Sequence, residues 1–268
     1  MVDSSDKEPP LQLPEADPIF ADPRLAEIYD DLDGERDDLD LYESIITELG
    51  ASSVLDIGCG TGALACRLAQ RGLRVIGLDP AAASLAVARS KPGAAAVRWI
   101  HAAARDAPRL GVDVVVMTGN VAQVFVTDEE WTATLTAAKG ALGTDGRLVF
   151  ETRDPAARAW AEWTRHASLT ITPTRSGDVE SWVELTMVDP PLVSFRWTFR
   201  FLDTVTVTAT VIESDSTLRF RTLDELDESL AHAGFVIDEV RDAPDRPGRE
   251  FVVFASASPR TRATWHIR

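Results

Sequence analysis

Lysine is nearly absent. Lys7, Lys91 and Lys139 are the only three in 268 residues, so arginine carries nearly all of the positive charge. Basic residues number 27 against 43 acidic ones, a net charge of -16. Such an acidic chain does not fit a binder of bare DNA or RNA, whose affinity comes from neutralising phosphates. It fits an anionic membrane surface no better. Long apolar runs are also missing, and nothing approaches the roughly 18–20 residues of a membrane helix. The first ten residues are acidic and proline-bearing, without the basic start and apolar centre of a secretory signal. Cysteine is scarce too. Cys59 and Cys66 form neither a Cys-x-x-Cys pair nor a zinc pattern, and two free thiols suit a reducing, cytoplasmic compartment. No repeat of fixed period is visible.

What is present is ordinary globular chemistry: 45% hydrophobic and 26% charged residues, enough to bury a large core. The length predicts one or two domains. Residues 1–17 read as a disordered acidic tail. Amphipathic helices follow at 23–32 and 38–49, the second closed by Gly50. Then strand and helix alternate. Strands are expected at 54–57, 74–78, 97–100, 113–117 and 147–152, with helices at 64–71 and 81–89 between the first three. Thr127 and Glu130 form a capping box opening the helix that carries Trp131, Leu135, Ala138 and Leu142. This alternation specifies a parallel sheet covered on both faces.

The pattern changes near residue 168. From there to 217 there is no helical period, and three or four strands turn near Pro190-Pro191 and Asp203. In the clearest, Phe195, Trp197, Phe199 and Phe201 share one face. Val205, Val207, Ala209 and Val211 repeat the alternation. This reads as an antiparallel meander inserted into the α/β domain of 18–167 and 218–256. The aromatic stripe is expected to be its buried face. A roof over a ligand pocket and a contact with a second copy of the chain are the functional alternatives. Thr222 and Glu225 then cap a helix ending at Gly234, and strands at 235–240 and 251–255 close the sheet. Residues 257–268 read as a flexible tail.

The sharpest chemical signal is Val-Leu-Asp-Ile-Gly-Cys-Gly-Thr-Gly at 54–62. Three glycines at a spacing of two stand between a strand and a helix. They let a ligand approach the backbone and offer it the free N–H groups of a helix start. The spacing is one residue short of the Gly-x-Gly-x-x-Gly used for dinucleotides. Asp56 precedes the glycines, and Asp79 ends the next strand, 21 residues after Gly58. A carboxylate there can accept hydrogen bonds from both hydroxyls of a ribose.

Asp-Ile-Gly-Cys-Gly-Thr-Gly followed by Leu-Asp-Pro resembles class I S-adenosylmethionine-dependent methyltransferases over about residues 20–256. Met-Thr-Gly-Asn-Val-Ala-Gln at 117–123 adds to the likeness, and Phe-Glu-Thr-Arg-Asp-Pro at 150–155 is similar to a bacterial small-molecule subgroup. The resemblance implies a Rossmann-like sheet of seven strands with only the last antiparallel. It implies S-adenosylmethionine as methyl donor and S-adenosylhomocysteine as product. Gly58, Cys59 and Gly60 would pass under the methionine part and ribose, and Asp79 would bind the ribose diol. Pro80, Ala104 and Arg105 would lie by the adenine, Gly119 and Asn120 by the sulfonium, and Tyr29 would cap the methionine end. One departure stands out. Relatives often carry Gly-Asp-Ala after the third strand, where the Asp holds the adenine amine, and Ala103 stands in that position here. Either Asp106 or a backbone carbonyl would then substitute, or the cofactor would bind more weakly.

No residue presents itself as a necessary general base; His101 and His166 are candidates by residue type alone. Cys59 is expected to be a small residue at a tight turn, not a reactive thiol. Arg153 follows the fifth strand, where ligands gather in open α/β sheets, and either faces substrate or forms an ion pair. Arg153, with Trp182 and Trp197 of the inserted strands, are the residues expected to face the acceptor. The reading is a methyltransferase acting on nitrogen or oxygen of a small molecule, without nucleic acid, membrane or metal. Its rivals are a protein that binds S-adenosylmethionine without transferring its methyl, and a nicotinamide-dependent oxidoreductase.

Overall fold

The computed structural model describes residues 13, 15–34, 36, 38–202 and 209–257. The expected tails therefore fall mainly outside the described residues, as do the turn at Asp203 and the alternation through Val205 and Val207. In chain order the elements are α1 (Pro18–Ala21), α2 (Pro23–Asp33), α3 (Asp38–Glu48), β1 (Ser53–Ile57), α4 (Ala63–Gln70), β2 (Arg74–Asp79), α5 (Ala82–Ser90), β3 (Val97–His101), β4 (Val112–Met117), α6 (Asp128–Ala141) and β5 (Leu142–Arg153). Then come α7 (Arg165–Ser168), β6 (Thr170–Thr174), β7 (Gly177–Asp189), β8 (Leu192–Leu202), β9 (Ala209–Arg219), α8 (Leu223–His232), β10 (Val236–Asp242) and β11 (Glu250–Ser256).

Seven strands form one sheet in the order β10-β11-β5-β4-β1-β2-β3. The pairs from β3 across to β5 are parallel, and β11 runs antiparallel to both of its neighbours. The expected fold class is therefore the observed one. β1 and β4 are buried nearly throughout, because both sheet faces are covered. Leu55, Ile57, Val115, Met117 and Phe150 pack on one face against Trp131 and Leu135 of α6 and Leu226 and Leu230 of α8. Val54, Val114, Val116 and Phe254 pack on the other against Tyr42, Ile45 and Ile46 of α3 and Leu64 and Leu68 of α4. Each such side chain contributes about 1.5–3 kcal/mol on burial. Both capping boxes, Thr127 with Glu130 and Thr222 with Glu225, form as read.

β5 is longer than the 147–152 expected. Leu142 already pairs with Val112, and the Asp145-Gly146 turn is absorbed as a register shift with Asp145 at φ 63°. The spacing of Trp160 and Trp163 after the fifth strand predicts a shared helix, which does not form. Pro155–Ala157 and Ala159–Glu162 are separate 3-10 turns, broken by Arg158 at φ 47°, and Trp163 follows the second.

The inserted strands make a second, antiparallel sheet in the order β6-β7-β8-β9. Val183 pairs with Trp197 and Ser181 with Phe199, so the aromatic stripe lies on one face. Phe195 joins Trp160, Trp163 and Phe220, while Phe199 packs on Leu25 and Ile28 of α2. The opposite face is charged. Arg196 meets Asp215 and Glu213, and Arg200 meets Glu180. The edge strand β9 also holds the start of the described chain. The Ile19 N–H donates to the Ser214 hydroxyl at 3.0 Å, and the Ser216 hydroxyl donates to Asp17 at 2.6 Å.

Candidate functional site

Gly58, Gly60 and Gly62 have φ of 72°, 52° and 75°, a region that costs other residues about 1–2 kcal/mol. A Cβ on Gly58 would stand 2.5 Å from Cγ2 of Val121, and one on Gly62 would stand 2.5 Å from the Trp99 ring. Beside Gly60 and Gly119 nothing lies within 4 Å of where a Cβ would be. Both border a cavity of about 350 Å³. It opens at the carboxyl ends of β1, β2 and β4, where open α/β sheets collect ligands. Its size suits a cofactor.

Asp79 ends β2 at the cavity wall. Its two oxygens accept from the N–H groups of Gly60 at 2.8 Å and Ala81 at 2.7 Å. Burial raises its carboxyl pKa, and these two bonds oppose the rise. The carboxylate therefore fixes the glycine turn as well as facing the cavity. Asp56 is 1% exposed, and its Oδ1 is buried with no hydrogen-bond partner. Burial, reinforced by the nearby Asp79, pushes its carboxyl up to about 7. Such an oxygen is costly until a donor reaches it. Arg36 borders the same cavity, held by Asp33 at 2.6 Å and Asp38 at 2.8 Å. An unpartnered carboxylate oxygen and a guanidinium at one end, with a carboxylate further along, fit an amino-acid zwitterion joined to a ribose.

Tyr29 reaches the cavity from α2, its ring 5.6 Å from that of Phe20. The helix is tied to the glycine turn by Thr61, which donates to Asp30 at 2.6 Å, and by Lys91, which donates to Thr61 at 3.1 Å and pairs with Asp30. Burial and the surrounding acids raise the Tyr29 phenol. Cys59 is buried, its thiol pushed well up mainly by that burial, and its sulfur would touch a Cβ at Gly77. Nothing there activates it as a nucleophile.

Of the ten residues expected at the donor site, nine border this cavity and Asn120 does not. Asn120 has φ 61°, and its N–H donates to Glu151 at 3.0 Å. Its amide nitrogen donates to Glu250 at 3.3 Å. Glu151 of β5 thus takes the backbone N–H, and Glu250 of β11 the side chain, of the residue that the resemblance assigned to the sulfonium. The Tyr42 hydroxyl donates to the same Glu151 at 2.7 Å, and Arg246 donates to Glu250 at 2.7 Å. Glu151 lies in the Phe-Glu-Thr-Arg-Asp-Pro stretch with no role assigned to it there, and no motif marks Tyr42, Arg246 or Glu250, because the four meet only when α3, β5 and the β10–β11 loop pack together.

None of the three expected acceptor residues borders the cavity. Arg153 pairs with Glu250 at 3.2 Å and donates to Gln123 at 3.1 Å, with Trp163 beside it at 5.7 Å. It takes the ion-pair alternative. Trp197 is half-buried on the inner face of the inserted sheet, stacked on Phe199. Trp182 stands on the opposite face, under the Arg165 guanidinium. Asp106, the expected substitute at Ala103, does not border the cavity either, and lies by Arg105. His101 contacts the Pro80 carbonyl at 2.9 Å.

The fold is the one shared by solved S-adenosylmethionine-dependent methyltransferases. Residues 54–146 match the family model described as a methyltransferase domain. An uncharacterized methyltransferase of Mycobacterium tuberculosis is 40% identical over 100 residues, 37% of this chain. The chain matches about half the length of that relative, 48%. Among solved structures, an S-adenosylmethionine-dependent methyltransferase from Clostridium acetobutylicum has a TM-score of 0.68 at 16% identity, covering 87% of this chain and 97% of its own. An amino pentose methyltransferase from Micromonospora echinaspora, solved with S-adenosylmethionine bound, has a TM-score of 0.64 at 20% identity, covering 85% and 94%. These last two are likenesses of fold.

Proposed function

We propose that the protein transfers the methyl group of S-adenosylmethionine to a nitrogen or oxygen of a small-molecule acceptor. The observation that carries this is the cavity where the glycine turn, Asp79 and the unpartnered Asp56 oxygen meet. In this reading Asp79 accepts from the ribose hydroxyls, Asp56 from the ammonium of the methionine part, and Arg36 pairs with its carboxylate. Gly58, Cys59, Gly60 and Gly119 keep the backbone close to the ligand, and Tyr29 closes the methionine end. The donor brings an already activated methyl group. The chain's own contribution is alignment, which can supply roughly 7–11 kcal/mol. The amino pentose methyltransferase of the same fold supports an amine-bearing small molecule as the acceptor class.

One observation favours a second reading, binding without transfer. Phe195 and Phe199 are buried within the cores of the inserted sheet, and neither Trp197 nor Arg153 borders the cavity. The first experiment is calorimetric titration of S-adenosylhomocysteine into the protein, with NADH as control. Micromolar binding of the first and none of the second is expected. The reverse result would revive a nicotinamide enzyme. A screen of amines and alcohols with methyl-labelled donor then separates the two readings, since a binding-only protein labels none of them.

A further inference from the structure

We propose that the purine edge of the donor is read by α6, through Glu130 and Thr134. The inference rests on the donor reading above and identifies what recognises the base. Beyond Asp79 and Pro80 the cavity wall turns apolar, with Ala103, Ala104, Val124, Phe125 and Val126. A slot of that kind accepts the faces of a planar base, but the polar edge of the base still needs partners. Ala103 offers only a methyl group, and Asp106 does not border the cavity.

Glu130 and Thr134 do border it, one helical turn apart on the same face of α6. This helix packs directly on the Ala104–Asp106 turn. Glu130 Oε2 is engaged by the backbone N–H and hydroxyl of Thr127, at 3.4 and 3.1 Å. Its Oε1 has no hydrogen bond among the described residues. Thr134 is 1% exposed, and its hydroxyl likewise makes none. Adenine presents an amine donor beside a ring-nitrogen acceptor on this edge. A carboxylate oxygen beside a hydroxyl is the complement of that pair. A 6-oxo purine presents the reverse, an oxygen beside a ring N–H, so the carboxylate opposes it while the hydroxyl turns to accept.

The test titrates two probes, S-adenosylhomocysteine and its deaminated counterpart S-inosylhomocysteine, into wild type and two variants. Wild type is expected to prefer the adenine compound by roughly tenfold or more. Glutamine is an accepted capping-box partner, so Glu130→Gln keeps the helix start. Its amide oxygen stays on Thr127 and its NH₂ group faces the slot. Affinity for the adenine compound should fall roughly ten- to a hundredfold, while the inosine compound is gained relative to it. Thr134→Val, nearly isosteric, should weaken both probes by a similar factor, since the hydroxyl serves either base. An unchanged ratio in Glu130→Gln, or unchanged affinities in Thr134→Val, overturns the proposal. If wild type binds neither probe, the donor reading itself falls and this inference falls with it. Binding of the adenine compound with no effect of either variant sinks the inference alone.

Discussion

The two sheets of this protein solve different problems. The seven-stranded sheet is covered on both faces, and its strand ends hold the cavity. The four-stranded sheet has one apolar face and one face of paired charges. In the first, the cavity is walled by backbone: the glycine turn and the Asp79 carboxylate that braces it. In the second, the aromatic residues that suggest a ligand pocket are spent on packing against α2 and the Trp160–Trp163 segment. The sheets are not independent, however. Ser214 and Ser216 of β9 hold residues 17 and 19, and Asp17 and Thr217 border the cavity. The second sheet thus steadies one wall of the site built by the first.

Breaking the backbone should have the largest effect. In Gly58→Ala the new methyl would meet Val121 at 2.5 Å and impose a left-handed φ. The expected cost is about 2 kcal/mol or more in stability, with S-adenosylhomocysteine binding lost. A variant with wild-type melting and affinity would mean that the turn tolerates a side chain, and that the backbone account is wrong. Asp79→Asn comes next. It keeps an acceptor for one of the Gly60 and Ala81 N–H groups, turns an NH₂ group toward the other, and loses the charge toward the proposed ribose. Affinity should fall by about 1.5–3 kcal/mol in calorimetry with the fold intact by circular dichroism. Asp79→Ala would confound the two roles further, since it releases both N–H groups of the turn.

The same contrast explains what was legible in the sequence. Glycines at 58, 60 and 62 are visible because the chain needs left-handed backbone there, and Asp79 because a strand end is easily located from its apolar run. The parallel sheet and both capping boxes follow from local pattern alone, whereas the antiparallel last strand is what the family resemblance implies. Asn120 was assigned by analogy, and the structure turns it to Glu250 because two glutamates distant in sequence converge on its loop. Arg153 looked equally open to substrate or an ion pair, and only the approach of β11 decides it. Glu130 was recognised as a helix cap, which it is, but its second oxygen acquires meaning only when α6 packs against the Ala104–Asp106 turn.

A subtler test of the first sheet uses pH. The Asp56 carboxyl sits at about 7 in the folded chain against an ordinary value of 3.8. A raised carboxyl pKa means that the stability it contributes is full below about pH 4 and is lost as pH rises toward 7. Relative to Asp56→Asn, wild type should therefore lose thermal stability across that window. Ligand binding should run the other way, because the ionised form attracts an ammonium. Affinity for S-adenosylhomocysteine should rise roughly tenfold or more between about pH 5.5 and 8 and flatten in Asp56→Asn. A flat wild-type profile would remove Asp56 from the ammonium role.

The smallest effect is expected on the outer face of the second sheet. The Trp182 indole lies 4.3 Å under the Arg165 guanidinium and donates to Glu184 at 2.8 Å. Its backbone partner is Thr198, so it projects from the face opposite Val183 and Trp197. Trp182→Phe keeps an aromatic ring for the arginine and removes one exposed hydrogen bond, a change of about 0.5 kcal/mol or less. Donor affinity should be unchanged and any acceptor turnover preserved. Trp197→Phe, on the inner face between the two small cores, is the informative partner to it. If only Trp197→Phe alters turnover, the inner face is the acceptor side. If Trp182→Phe alters it as strongly, the charged face does more than meet water, and the division between a ligand-binding sheet and a packing sheet fails.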